Sequence, residues 1–233
     1  PKDALTIMDD DLVAKVKDLP LFITEWNSMA IFTAPIHDEK YSAAFVTKSV
    51  LDLKNDFKGY MFWCLSDLFE EQIQLNKPFV GGFGILTNDG IPKPNFWAFK
   101  MLSKLFPTRL DVGFRSFGEV EYGVFKKDKA LQIILTPQSN DPCLNDTHDI
   151  ELSLNCNIKK ATIERIDDTH ANPKAEWIKL GSPHNLTHEE VETIKNKTKL
   201  KSEKLSFNSN NNETIINITM QTNDVALITL EME

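Results

Sequence analysis

Acidic residues that directly follow two apolar runs are the first candidates for chemistry in this sequence. Glu25 ends the run "LFIT" and is followed by Trp26. The second run, "YMFWCLSD", is followed in the same way by acidic and aromatic residues: Asp67, Phe69, Glu70 and Glu71, close after Trp63. Aromatic rings stack on sugar faces, carboxylates accept bonds from sugar hydroxyls, and glycosidic cleavage needs two carboxyl groups. These residue types indicate carbohydrate chemistry, and the alternative is that Glu25 merely marks where a strand meets solvent.

Metal and cofactor sites have less support in the sequence. His37 stands alone in "APIHDE", and no histidine lies at ligand spacing from the candidate carboxylates, so we expect no metal site. The cysteines fit neither a metal spacing nor an even disulfide set, and we expect free thiols: Cys64, Cys143 and Cys156. The glycines of "FVGGFG" do not follow the G-x-G-x-x-G order of a dinucleotide site. We therefore expect no cofactor, and we interpret these glycines as flexible backbone beside a binding cleft.

Alternating helices and strands predict how the candidate side chains are positioned. The predicted order is helix 9–17, strand 20–25, helix 40–55, strand 59–66 and helix 95–105. Such alternation is typical of βαβ units with a parallel sheet. Because parallel strands end at the same edge, the acidic residues after both strands should meet at one opening.

The composition changes near Pro107, where we place a boundary between domains 1–107 and 108–233. Beyond it, short alternating runs such as "ALQIILTP" and "DVALITLEM" predict an antiparallel β-sandwich. A helix that interrupts these runs starts with Thr187 and has Glu190 three residues later, which is a capping-box signature. The asparagine run at 208–212 predicts the tip of a hairpin.

Charge and hydropathy exclude several classes of partner. Lys and Arg number 26 against 34 Asp and Glu, so the net charge of −8 leaves no broad basic surface for nucleic acid. No segment approaches 18 consecutive apolar residues, so we expect no membrane span. Asn-x-Thr sequons, as in secreted glycoproteins, begin at five asparagines. We nevertheless expect a bacterial cytoplasmic protein, with secretion as the alternative.

Several motifs, in order along the chain, resemble glycoside hydrolase family 39 in its β-xylosidase branch. They include "PLFITEWN", "APIHDEKYSAAF", "FWCLSDLFEEQ", "PFVGGFGILTNDGIPKPNFWAFKML" and "IDDTHANPKAEWIKLGSP". The resemblance implies a retaining glycosidase with a (β/α)8 barrel and an accessory β-sandwich. It implies that Glu25 is the nucleophile, which attacks the anomeric carbon of a xyloside-like substrate. The residues expected to bind that substrate are Trp63, Glu70 and Glu71, as the resemblance implies, together with Trp26 and Phe69.

The same resemblance implies that the catalytic acid/base is missing. In the family it is a glutamate after an asparagine at the end of the fourth barrel strand, and this sequence starts beyond that point. We expect a C-terminal fragment, inactive alone, that carries the last two or so βα units and is completed by the missing N-terminal part of the same chain. Exposed strand edges should favour self-association into homo-oligomers. The alternative is a sugar-sensing domain of an AraC-type transcriptional regulator.

Overall fold

The computed structural model of the 233-residue chain describes residues 15–16, 19–53, 57–68, 77–112 and 120–233. The described strands are β1 (Leu21–Trp26), β2 (Phe57–Phe62), β3 (Thr108–Leu110), β4 (Glu121–Lys127), β5 (Ala130–Thr136), β6 (Thr147–Leu154), β7 (Ile158–Ile166), β8 (Glu203–Lys204), β9 (Asn208–Asn210), β10 (Glu213–Gln221) and β11 (Val225–Met232). The described α-helices are α1 (Lys40–Asp52), α2 (Pro94–Leu102), α3 (Pro173–Lys179) and α4 (His188–Lys197), and a 3₁₀ helix spans Pro35–Asp38. The helix expected at 9–17 lies almost entirely outside the described residues.

β1 and β2 form a parallel pair, which confirms the expected βαβ arrangement. Leu21 aligns with Phe57 and Ile23 with Tyr60. Parallel strands need a crossover connection, and α1 lies between them in the chain. The expected strand at 59–66 is observed as Phe57–Phe62, because the following segment leaves β1 and bonds with residues 83–86 instead.

Two antiparallel sheets follow in the second half of the chain. One has six strands in the order β3-β4-β5-β11-β7-β8, and the other has three in the order β6-β10-β9. Alternate residues of β11, such as Ile228 and Leu230, share an apolar core with Ile216 and Ile218 of β10. The predicted period-two pattern therefore buries one side of each sheet in a common core.

The other side of the six-stranded sheet packs on the helices of the first half. Val225 and Leu227 of β11 belong to a second core with Val46 of α1 and Met101 of α2. Successive residues of β11 thus face different cores, as a strand covered on both sides requires. This second core crosses the expected boundary near Pro107, and the boundary itself stays a prediction.

Local signals fix several of the connections. The capping box at α4 is confirmed, because the Thr187 side chain accepts from the Glu190 backbone and the Glu190 carboxylate accepts from the Thr187 backbone. The hairpin tip is also confirmed, since β9 and β10 join through Asn211 and Asn212 with φ of 50° and 66°, a conformation asparagine tolerates. The helix α3 was not expected from the sequence; it starts where Asn172 accepts from the backbone N–H of Ala175.

Candidate active site

Glu25 lies near the carboxyl end of β1 with an exposed side chain. Simple alternation would place it on the buried side with Ile23, which is only 7% exposed. The register between β1 and β2 shifts between Ile23 and Trp26, so this alternation breaks just before the strand ends. Among the described residues, none forms an ion pair or a hydrogen bond with the Glu25 carboxylate. Within the described part of the chain, the Glu25 carboxylate is therefore exposed and unpaired.

Trp26 is buried by the same register shift and belongs to the core. It is 8% exposed, and its ring meets Phe62 edge-on at a centroid distance of 5.1 Å. The rings of Phe45 and Phe99 lie 6.2 and 6.3 Å away. This packing role replaces the sugar-binding role expected for Trp26, because aromatic side chains already cover its ring.

Trp63 stands next to the end of β1, as the parallel arrangement predicts. Its backbone N–H donates to the carbonyl oxygen of Trp26 at 3.0 Å. The Asn27 side chain donates to the carbonyl oxygen of Trp63 and, at 3.0 Å, to that of Phe83. Hydrogen bonds thus join the segments that carry Glu25 and the half-buried Trp63 at one edge of the pair.

Three of the expected substrate-binding residues lie outside the described residues. These are Phe69, Glu70 and Glu71. The description stops at Leu68 and resumes at Lys77. The expected meeting of Glu25 with the second acidic segment therefore stays a prediction.

Asp67 does not open onto the surface, contrary to the expectation that it joins the other acids there. It is 4% exposed, and its carboxylate lies 2.7 Å from the ammonium of Lys93. The same ammonium lies 2.7 Å from Asp38, and both Lys93 and Asp38 are fully buried. Because a buried charge is stable only when paired, Asp67 serves the interior of the protein and not its ligand surface.

Burial perturbs the ionisation of this group of side chains. Desolvation raises the pKa of Asp67 to about 6, although the adjacent Lys93 ammonium opposes the rise. Burial also lowers the pKa of His37, whose ring nitrogens lie 2.8 Å from the carbonyl oxygen of Gly81 and 3.0 Å from that of Met29. His37 is thus held between backbone carbonyls, in a structural position.

The glycine segment is tightly packed, which corrects its interpretation as flexible backbone. Gly81 has a φ of 82°, and a Cβ there would collide with the backbone of Ala34. A Cβ on Gly84 would collide with the backbone of Ser66 and Asp67. These two glycines are needed because other segments of backbone approach them closely.

Sequence reasoning missed Lys93, the partner of Asp67, and Asp38, the second carboxylate that pairs with Lys93. A lysine is rarely buried without partners, so its default assignment is the surface. The available signal is that Lys93 directly precedes the Pro94 start of α2 in an otherwise apolar stretch, "GIPKPNFW". That signal does not reveal the two carboxylates, which come from segments 26 and 55 residues earlier (93 − 67 and 93 − 38).

Other potential sites lie away from Glu25 and Trp63. A cleft of about 350 Å³ is lined by residues that include Lys40, Asp168 and Lys174, and another of about 520 Å³ includes Arg109 and Tyr122. Within the described ranges, no group of three or more His, Cys, Asp or Glu side chains is placed to hold a metal ion. No helix there is long and apolar enough to cross a membrane. All three cysteines are free thiols, as expected.

Comparison with known proteins identifies similar sequences and folds. The sequence profile of Glycosyl hydrolases family 39 matches residues 8–214. A beta-xylosidase of Caldicellulosiruptor saccharolyticus is 35% identical over 218 residues, which cover 91% of this chain and 45% of that protein. A beta-xylosidase of Geobacillus stearothermophilus is 28% identical over 178 residues, covering 76% of this chain and 34% of that protein.

A solved structure shares the fold as well. The GH39 beta-xylosidase of Caulobacter crescentus superposes with a TM-score of 0.78 at 24% identity, over 99% of this chain and 48% of that one. The chain thus spans about half the length, or less, of the relatives it matches.

Proposed function

The chain belongs to glycosyl hydrolases family 39, and from this premise we propose that it is the C-terminal part of a retaining β-xylosidase with Glu25 as the nucleophile. The observation that carries the proposal is the open carboxylate of Glu25 at the end of a parallel strand, hydrogen-bonded through its neighbours to the segment of Trp63. Strand ends of this kind supply the reacting groups in α/β barrels.

The proposed parent fold is a (β/α)8 barrel followed by a β-sandwich, with β1 and β2 as the last two barrel strands. Large apolar side chains on and just after these strands are exposed, including Phe22 at 50%, Met61 at 49% and Leu65 at 67%. Exposed apolar surface of this extent is typical of an interface. An N-terminal half that supplies the other barrel strands would cover it, in keeping with relatives about twice as long.

The proposed chemistry starts with attack by the Glu25 carboxylate on the anomeric carbon. The bond to the leaving-group oxygen breaks, and an acid/base carboxyl from the N-terminal half, about 5 Å away, donates the proton to that oxygen. The same group then removes a proton from the water that hydrolyses the glycosyl-enzyme. In this proposal Trp63 and Phe69 stack on the sugar, and Glu70 and Glu71 accept bonds from its hydroxyls.

The test uses the intact parent protein on aryl β-xylosides. Glu25→Gln should lower turnover by a factor on the order of 10⁴, since the carboxylate that forms the covalent intermediate is removed. The matched control is Glu151→Gln, which alters an exposed glutamate of β6 and should leave turnover unchanged. A 2-fluoroxyloside should trap the intermediate and add its mass to the peptide that contains Glu25. Label on another residue, or full activity of Glu25→Gln, would contradict the assignment, and xyloside binding without turnover would favour a sugar sensor.

A further inference from the structure

We propose that Lys93 is a positioning residue of the candidate active site, which it acts on by fixing the segment from Trp63 to Asp67 beside the end of β1. The inference rests on the proposed function, because it concerns the same site. It assigns Lys93 no contact with substrate.

Lys93 connects three segments that are distant in the sequence. Its ammonium lies 2.7 Å from Asp38 of the 3₁₀ helix and 2.7 Å from Asp67, and it donates to the carbonyl oxygen of Gly82 at 3.0 Å. The carboxylates in turn accept backbone bonds, Asp38 from Gly81 at 2.6 Å and Asp67 from Gly84 at 2.8 Å. One buried cation therefore links two carboxylates, and these carboxylates accept hydrogen bonds from the backbone N–H groups of the glycine segment.

A ladder of backbone bonds carries this constraint towards the site. Cys64 donates to the carbonyl oxygen of Phe83 at 3.2 Å, and Ile85 donates to that of Cys64 at 3.0 Å. The ladder continues to Asp67, whose N–H donates to the carbonyl oxygen of Leu86 at 2.9 Å. At its other end Asn27, two residues after Glu25, donates to Trp63 and Phe83. Fixing Asp67 therefore fixes the strip that runs up to the end of β1.

The charges in this network oppose a purely stabilising role. Two buried carboxylates face one ammonium, so desolvation is incompletely compensated, and apolar side chains of similar volume are often as stabilising as a buried ion pair. What the ammonium supplies, and an apolar group does not, is directed bonds to three segments at once. Such geometry suits a residue that fixes the position of the segment from Trp63 to Asp67.

Removal of Lys93 should make the site sensitive to pH. In Lys93→Met, Asp38 and Asp67 would face each other without a cation, and taking up a proton relieves their repulsion. The neighbouring titratable groups are His37, whose pKa is lowered by burial, and Cys64, whose pKa is raised by burial. Neither supplies a replacement cation at neutral pH, so the defect should be larger at pH 8 than at pH 5.

The experiment compares Lys93→Met with Lys40→Met in the intact parent protein. Lys40 is a matched control, because its ammonium also joins two aspartates, Asp168 and Asp224, at 2.9 Å each, but away from Trp63. Hydrogen exchange should accelerate in peptides covering 63–67 and 83–86 of Lys93→Met, and not in β5. The kcat/KM on aryl β-xylosides should fall about 100-fold, as expected when reacting groups are misplaced by about 1 Å. The kcat/KM of Lys93→Met relative to wild type should rise as the pH is lowered towards 5. Lys40→Met should show none of these changes.

A second variant keeps the proposal falsifiable if Lys93→Met does not fold. Lys93→Met/Asp67→Asn removes one charge of each sign, so the network keeps its net charge, and it should show the same exchange and kinetic defects with less pH dependence. Unchanged exchange at 63–67, or accelerated exchange with unchanged kcat/KM, would overturn the positioning role. A wild-type parent without xylosidase activity would overturn the proposed function instead. The hydrogen-exchange data would then test on their own whether Lys93 fixes the segment from Trp63 to Asp67.

Discussion

The parallel pair β1–β2 and the six-stranded sheet bury their strands to very different extents. β11 has a strand on each side and an apolar core on each face, and Leu227, Ile228 and Leu230 are all 2% exposed or less. Phe22 and Met61 of the parallel pair are about half exposed at 50% and 49%. The six-stranded sheet is covered on both faces by elements of this chain, whereas the parallel pair leaves apolar surface that further chain would cover. This difference supports the proposal that further chain completes the half that carries the candidate active site.

The largest effect should come from a cavity between the two antiparallel sheets. Ile228 is fully buried there, so Ile228→Ala should lower the free energy of unfolding by about 2–5 kcal/mol. The matched control is Ile178→Ala, at a side chain that is 55% exposed, which should cost less than about 0.5 kcal/mol. Urea denaturation of the 233-residue chain measures both. Equal costs would contradict the close packing of the core between the two antiparallel sheets.

A smaller effect should appear as pH dependence that originates in the segment that follows β2, beside the parallel pair. The pKa of Asp67 is raised from 3.8 to about 6, so the folded state binds this proton more tightly than the unfolded chain does. The resulting stability is fully present below about pH 4 and is lost as the pH rises through 6, an effect of up to about 3 kcal/mol. Unfolding free energies of wild type and Asp67→Asn, measured from pH 4 to 7, should show this decline only in the wild type. Parallel pH profiles would contradict the buried ionisation of Asp67.

The smallest effect on stability should come from the exposed side of the parallel pair. Phe22→Ser should lower the unfolding free energy by only about 1 kcal/mol, because half of the side chain is already exposed. It should, however, weaken self-association of the chain, as sedimentation velocity at increasing concentration would show. Ile178→Ser, at an exposed site on α3, serves as the control and should leave association unchanged. A wild-type chain that stays monomeric throughout would contradict the expectation for this surface.

The elements of the fold were predictable where one periodic pattern determined burial. Residues facing opposite sides alternate along the runs that form β5 and β11, and Thr187 and Glu190 are the residue types of a capping box at α4. The site was less predictable, because its details depend on single events in three dimensions. The register shift before Trp26 buries Trp26 and exposes Glu25, and no residue type in this stretch predicts that shift. The burial of Asp67 required Lys93, whose position becomes evident only when distant segments meet.

The helix-facing row of the six-stranded sheet limits how the chain can be divided. Four residues of this row pack on α1 and α2: Ile134, Ile166, Val225 and Leu227. The strands near the carboxyl end therefore cover the apolar side of helices that precede Pro107. A module cut at Pro107 for use as a stand-alone scaffold would expose this row of apolar side chains to solvent. Grafting it onto another protein would require either replacing those four residues with polar ones or transferring the two helices along with it.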